Sequence, residues 1–339
     1  MKRTFLLFGT VLLLAVCSLA QDVHLSQFQN APLLMNPAST GDFSGLIRGG
    51  VSFRDQWGVL GAGFTSYLMY ADYRPGEDEN THTVPYSFGV VTARDKAGDL
   101  GFGNMTIKLS ASKEVKLSAR RKLCMGLQLG VIQSSIDLAG YQWGSQYDGQ
   151  NWNSSFAGEI VTIPKVTSMD AGAGMIYTKS IGQSTLSAGD MRFISIGLAA
   201  HHLNRPKLAF DPLDMNRIPV RYSGHFQGVF GVENTLYSFQ PMGLVQWQKG
   251  AMEAAAGCNL RIRLKEASRY TGLVKPSIFG FGLMYRYGDA ICPTFLYDNQ
   301  TISFYATYDF NISSLREVTH TYGAMEITLR YIIAGARRQ

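Results

Sequence analysis

Strict two-residue alternation recurs along this chain, and it limits the possible folds more than any other feature. In Phe279–Tyr287 the odd positions are Phe279, Phe281, Leu283, Tyr285 and Tyr287, with Gly280, Gly282, Met284 and Arg286 between them. Leu123–Val131 sets Leu123, Met125, Leu127, Leu129 and Val131 against Cys124, Gly126, Gln128 and Gly130. Near the end, Met325, Ile327, Leu329, Tyr331 and Ile333 alternate with Glu326, Thr328, Arg330 and Ile332. Successive strand residues point to opposite faces, so each block has one large apolar face and one small or polar face. A barrel that meets lipid outside and water inside needs that division. A β-sandwich alternates too, but its exposed face carries more charge than these glycine-laden rows. A charge facing lipid at mid-membrane costs about 2–4 kcal/mol, which assigns Glu326 and Arg330 to the lumen.

Composition suits a membrane β-barrel and, nearly as well, a secreted β-sandwich, so by itself it does not choose between them. Charged residues make up 17% of the 339 positions, against roughly 25% in an ordinary soluble domain. Glycine (36 residues) and aromatics (12%) are plentiful, as alternating barrel strands require. After the N-terminus no run of about 18 apolar residues occurs, which argues against a helical membrane protein. The pattern predicts an all-β transmembrane barrel of about 14 antiparallel strands between Leu46 and Ile333. The fourth strand is placed at Gly101–Leu109, the fifth at Leu123–Gln133 and the thirteenth at Gln300–Tyr308. Segment Ala111–Arg121 fits neither strand nor turn cleanly and is able to shift the count. With the N-terminus in the periplasm, the long connections Ser134–Thr167, His202–Pro219 and Asp309–Tyr322 all fall outside, as such barrels arrange them.

The first 20 residues have the anatomy of an export signal. Lys2 and Arg3 precede an apolar run from Phe5 to Val16, and Ser18-Leu19-Ala20 forms a small-x-small cleavage site before polar Gln21-Asp22. Val16 ahead of Cys17 does not suit a lipid-modification site. The expected division is a signal peptide at 1–20, a short non-strand periplasmic or plug segment at 21–45, the barrel at 46–333 and a tail at 334–339. Cys124, Cys258 and Cys292 remain after cleavage, an odd and scattered set that makes no disulfide framework or metal-ligand spacing and reads as free buried thiols. The net charge is +6, of which Lys2 and Arg3 leave with the signal. Arg120, Arg121 and Lys122 form one basic cluster, expected to cap a strand in solvent, and no nucleic-acid partner is indicated.

Leu25–Gly41, LSQFQNAPLLMNPASTG, breaks the alternation. Asn36 before Pro37 is biased to extended backbone, and Ser39, Thr40 and Gly41 bring turn chemistry. Polar Ser26, Gln27, Asn30 and Asn36 flank the short apolar run Leu33-Leu34-Met35. That mix fits a segment docked at the barrel's periplasmic mouth or inserted in its lumen, with lumenal Arg286, Glu326 and Arg330 available to tie it down.

This segment resembles the opening of the PorP/SprF family of the Bacteroidota type IX secretion system, FSQ, an aromatic, then NPLxxNPAxAG. Ser26, Gln27, Phe28, Pro32, Leu33, Asn36, Pro37, Ala38 and Gly41 match, while Ala31, Ser39 and Thr40 depart. Arg54-Asp55-Gln56-Trp57 is similar to the family's R-x-Q-W, and Gly61-Ala62-Gly63-Phe64-Thr65 keeps part of a following GAP-x-T. Gly197–Leu203 with Pro206 resembles G-L-x-x-x-H-L-x-x-P; Gly282–Asp289 resembles G-x-x-Y-R-x-x-D; Gly323–Tyr331 resembles the closing G-x-x-E-x-x-L-x-Y. The resemblance implies a non-enzymatic outer-membrane barrel of protein secretion or gliding motility. It also implies partners among the periplasmic ring lipoproteins, or a role in exporting and attaching a specific cargo protein. Ser26, Gln27, Asn36, Pro37, Gly41, Arg54, Gln56 and Trp57 are then the candidate partner-contact or plug residues, with outer-membrane lipid around the barrel. The alternatives are a passive porin or hydrophobic-solute transporter and, more distantly, a secreted β-sandwich adhesin.

No catalytic, cofactor or metal site is indicated. The six histidines are scattered, and the adjacent pair His201-His202 on a strand would face opposite sides. Gly58–Gly63 lies between two strands with no helix N-terminus or lysine to hold phosphate. No G-x-S-x-G or H-E-x-x-H occurs. Trp143, Tyr147 and Trp152 suit a packed loop, an aromatic girdle or a glycan contact.

Overall fold

The computed structural model describes residues 25–58, 63–76, 86–98, 102–136, 143–153, 155–156, 165–181, 192–207, 217–265, 277–314 and 316–334. The proposed signal peptide, Cys17, most of the Gly58–Gly63 turn and positions 335–339 of the tail lie outside them. Fourteen antiparallel strands close a barrel in sequence order: β1 (Ile47–Gln56), β2 (Phe64–Tyr73), β3 (Ser87–Ala97), β4 (Phe102–Ser118), β5 (Arg121–Ser135), β6 (Val166–Ile181) and β7 (Arg192–His201) on one side. The circuit continues through β8 (Arg221–Gly231), β9 (Tyr237–Gln248), β10 (Ala251–Lys265), β11 (Ser277–Arg286), β12 (Ala290–Asp298), β13 (Ile302–Asn311) and β14 (Tyr322–Ile333). Closure is made by β1 against β14, with Ile47 opposite Ile333 and Gln56 opposite Ala324. Every strand thereby has two partners, which abolishes the unpaired edge that lipid cannot solvate.

The alternation sets the faces as expected. Leu127 and Leu129 are 66% and 62% exposed, whereas Gln128 between them is 1% exposed. Glu326 is buried on the inner face, and Arg330 also points inward, where it donates to Asp298 Oδ2 at 3.3 Å. On the outer face Phe279 and Phe295 meet edge to face at 4.9 Å, with Phe281 and Phe304 extending the contact across strands.

Strand ends lie within three residues of the sequence expectation, except at the end of β4. β4 runs on through the ambiguous stretch to Ser118 and turns at Ala119-Arg120, so β4 is the longest strand and the count stays at 14. β13 continues to Asn311 because its inward period of Ser303, Tyr305, Thr307, Asp309 and Asn311 does not stop at Tyr308. The two termini of the barrel, Ile47 of β1 and Ile333 of β14, and the connections after β2, β4, β6, β8, β10 and β12 share one end. Residues 136–165, 202–220 and 312–321 join strands at the other. Lys249 and Gly250, with φ of 43° and 90°, make the two-residue turn between β9 and β10 that only left-handed backbone allows.

The apolar core lies in the lumen. Leu33, Leu34 and Met35 form one buried cluster with Leu68, Tyr70, Val91, Met242, Leu244 and Met284 of the surrounding strands.

Candidate functional site

The material inside the barrel is the chain's own segment Leu25–Gly41, and its local shape follows from its residues. A 3-10 turn at Phe28–Asn30 leads into the single-turn helix α1 (Pro32–Met35), where Pro32 occupies the first position, the one that needs no N–H. Asn36 is extended (φ −155°, ψ 121°), as a residue before proline should be. Its Oδ1 accepts from the Ala38 amide at 2.9 Å and starts a second turn, Pro37–Ser39. Gly41 sits at φ +72°, where a side chain would also run into Ser87.

The segment threads the lumen antiparallel to β1. It starts near the far end, at the level of Arg54, and finishes at the termini end beside Arg48 and Arg74. Barrel side chains take up the backbone groups that no secondary structure satisfies. Glu326 accepts from the amides of Ser26 (2.7 Å) and Gln27 (3.2 Å). Gln128 Nε2 donates to the Leu33 carbonyl at 3.0 Å, and His201 Nε2 donates to that of Met35 at 3.1 Å. Arg48 reaches the Ser39 carbonyl at 2.9 Å, and Asp72 accepts from the Gly41 amide at 2.7 Å. Ser112 donates to the Thr40 carbonyl, and Arg74 to that of Phe43.

Two points of attachment stand out. At the far end, Ser26 Oγ donates to Asp309 and accepts from Arg54 and, at 3.2 Å, from Arg286. Arg54 Nη2 and Arg286 Nη2 lie 2.9 and 3.0 Å from Asp309 Oδ2, and Arg54 Nη1 lies 3.4 Å from Glu326. Asp289 also accepts from Arg286 Nε at 2.5 Å, so the two guanidinium groups share three carboxylates, and removing Asp309 takes away the one that both contact. Midway, Asn36 Nδ2 lies within 3.2 Å of the Met175 and Leu198 carbonyls and 3.1 Å from His225 Nε2. The wall is bare glycine at that place. A side chain on Gly174 or Gly197 would collide with Asn36, and one on Gly126 would collide with Pro37.

Of the sequence-indicated residues, Ser26, Gln27, Asn36, Pro37 and Arg54 are buried in the lumen, and Gly41 is buried at its termini end. Gln56 accepts from Arg54 Nη2 at 3.2 Å at the far rim. Trp57 leaves the strand with φ 58° and packs edge-on against Phe64 at 5.6 Å. Arg286 and Glu326 hold the segment as expected, but Arg330 does not, since its donors go to Ser303 and Asp298 on neighbouring strands. Asp309, Asp72, Arg48, His225 and Gln128 escaped the sequence reading. Asp309 lies beyond Tyr308, where the sequence reading ends the thirteenth strand three residues short of Asn311, and its in-register position two after Thr307 is the signal that would have found it.

His201 and His202 do not face opposite sides. His202 lies just past β7 with φ 58°, so it turns back inward and its Nδ1 lies 2.8 Å from Asp170 Oδ1. Cys124 and Cys292 are buried as expected, but Cys258 is exposed on the lipid face, which its even position on β10 dictates. Arg120 and Arg121 are exposed at the β4–β5 turn, while Lys122 turns inward to Asp42 and Glu114 (3.3 Å). Its ammonium thus meets the charge of the one ligand-like trio among the described residues, Asp42, Glu114 and Cys124. In the long connection, Trp152 Nε1 donates to Gln146 and the backbones of Tyr147 and Trp152 form a bridge, while both aromatic side chains stay exposed.

Comparison with known proteins bears on this barrel as follows. The model of one family, type IX secretion system membrane protein PorP/SprF, matches residues 18–331. No protein of curated function matches the sequence. Among solved structures the chain is similar to the Ralstonia pickettii toluene transporter TbuX (11% identity, 89% of this chain and 92% of that chain, TM-score 0.47). It is also similar to a Pseudomonas aeruginosa FadL homologue (11% identity, 89% and 94%, TM-score 0.39) and to BamA from Haemophilus ducreyi lacking POTRA domains 1–3 (9% identity, 85% and 70%, TM-score 0.42). At these scores and identities the likenesses carry no argument about role.

Proposed function

We propose that this chain, which belongs to the PorP/SprF family of type IX secretion system membrane proteins, works by binding partners at a barrel closed by its own N-terminal segment. It is an outer-membrane β-barrel of the secretion apparatus. The finer reading is that it engages the periplasmic ring lipoproteins, or aids export and surface attachment of a particular cargo in secretion or gliding, without catalysing a reaction. Residues 1–20 serve as its export signal, 21–45 as the plug, 46–333 as the barrel and 334–339 as a tail.

The observation that carries this reading is the lumenal segment. Ala31, Leu33 and Asn36 are wholly inaccessible, and Ser26 and Gln27 are nearly so. A lumen packed with its own chain serves poorly as a passive pore, so the porin alternative loses its main requirement. Seated in this way, Ser26, Gln27, Asn36, Pro37, Gly41 and Arg54 act as the plug's fastening. Partners in the closed state meet the rims, where Gln56 and Trp57 remain partly open at the far end and the long β4–β5 hairpin stands at the other.

The test is a pair of measurements on the full-length protein. An affinity-tagged chain cross-linked in intact envelopes should recover ring lipoproteins or a cargo protein of the type IX apparatus. The purified barrel in planar bilayers should conduct little. Large stable channels with no recovered partner would install the porin reading instead.

A further inference from the structure

The lipid face carries a groove of about 580 Å³ that the secretion role does not use. Its floor runs along one register row. Ala111 faces Leu127, Leu127 faces Ala173, Ala173 faces Ala200, and Ala200 faces Tyr222. At about 4.8 Å per strand spacing, the row is roughly 19 Å long. Ala111, Ala173 and Ala200 lower the floor on either side of Leu127, and Met125, Met175 and Leu198 stand beside it. Elsewhere the outer face is bulky, as at the Phe279, Phe281 and Phe295 cluster.

The groove has one polar end. Among the described residues of its lining Lys113 alone is charged, and its ammonium lies 5.0 Å above the Tyr86 ring. Both sit at the termini end, which faces the periplasm when the long connections face outward. Lysine and tyrosine at a membrane boundary keep apolar stems in the lipid and polar tips at the head groups. Strands in such barrels tilt by about 35–45°, so the row climbs the wall from Lys113 as it crosses β5, β6 and β7. One leaflet of hydrocarbon is about 15 Å deep, half of the usual 30 Å core. A slot of this length and slope therefore spans one leaflet, beginning at a cation.

We propose that the groove binds one acyl chain of an anionic phospholipid of the periplasmic leaflet, with its phosphate at Lys113. The chain lies over Ala173 and Ala200, and the negative head group meets the ammonium of Lys113. On the inner side of the same wall, Gly126 abuts Pro37 and Gly174 abuts Asn36. Lipid and plug thus cover the two faces of one wall, whose inner face is glycine at this place.

Native mass spectrometry of the detergent-purified full-length barrel, titrated with phosphatidylglycerol or phosphatidylcholine, tests the proposal. Wild type should retain one phosphatidylglycerol through mild collisional activation, several-fold more than phosphatidylcholine. Ala173→Leu and, separately, Ala200→Leu should abolish retention of both lipids, because either leucine fills the slot. Lys113→Gln should erase the head-group preference and keep a residual adduct. Heat-modifiable gel mobility confirms that each variant is folded, and the two leucine variants back each other if one is not. Equal retention by wild type and both leucine variants overturns the proposal. So does a photocrosslinker at position 173 that captures a protein partner in envelopes in place of lipid.

Discussion

Gly174 on β6 has no side chain because Asn36 occupies the space where one would begin. The amide of Asn36 rests on the bare backbone of that strand and its neighbour, sharing its N–H groups among the Met175 and Leu198 carbonyls and His225. The plug is thus seated by the absence of a side chain as much as by the presence of one.

Gly174→Val should therefore unseat the plug and spare the barrel. Valine suits a strand, so heat-modifiable mobility should persist. Overpacking costs about 1–3 kcal/mol, so amides of residues 33–40 should exchange roughly 5- to 150-fold faster. Channel openings rare in wild type should become frequent. Unchanged exchange would mean that Asn36 and the wall are more pliable than their contacts imply.

The cluster around Ser26 gives a second prediction. Asp309→Ala strands Arg54 and Arg286 without their shared carboxylate, a loss of about 3–5 kcal/mol for a broken buried pair. The temperature at which the compact gel band disappears should fall. Replacing Arg54 and Asp309 together with Met and Leu should recover part of the loss, and the double-mutant cycle should show coupling. Additive losses would indicate that Arg54 is held chiefly by Glu326.

Position decides the effect of an apolar truncation. Leu33→Ala leaves a cavity in the lumenal cluster and should cost about 2–5 kcal/mol of plug seating, visible as faster exchange at Leu34 and Met35. Leu127→Ala, on the lipid face, should leave that exchange unaltered, since lipid fills the space. Similar behaviour of the two variants would contradict the assignment of faces.

The cysteines report the same division chemically. In the folded barrel in detergent, a membrane-soluble maleimide should label Cys258 and spare Cys124 and Cys292, which are buried. All three should react once the protein is boiled in denaturant. Labelling of Cys124 in the folded state would place it outside the wall.

Much of the fold was written in local sequence. Phe281, Leu283 and Tyr285 against Gly280, Gly282 and Met284 fix which face meets lipid, because side-chain direction in a strand depends only on parity. Chain parity also placed the three long connections at one end, and Asn36-Pro37 foretold the extended residue and the turn that follows it. What the sequence could not decide was what fills the lumen and what grips it. Leu25–Gly41 suited a mouth or an interior equally, since its backbone groups needed partners that either place could supply. The partners proved to be Asp309, Asp72, Gln128 and His225, which are far apart in the chain and share no local pattern. Only closure of the 14 strands brings them around one axis, so burial, charge pairing and the bare patch at Gly126, Gly174 and Gly197 belong to the tertiary structure alone.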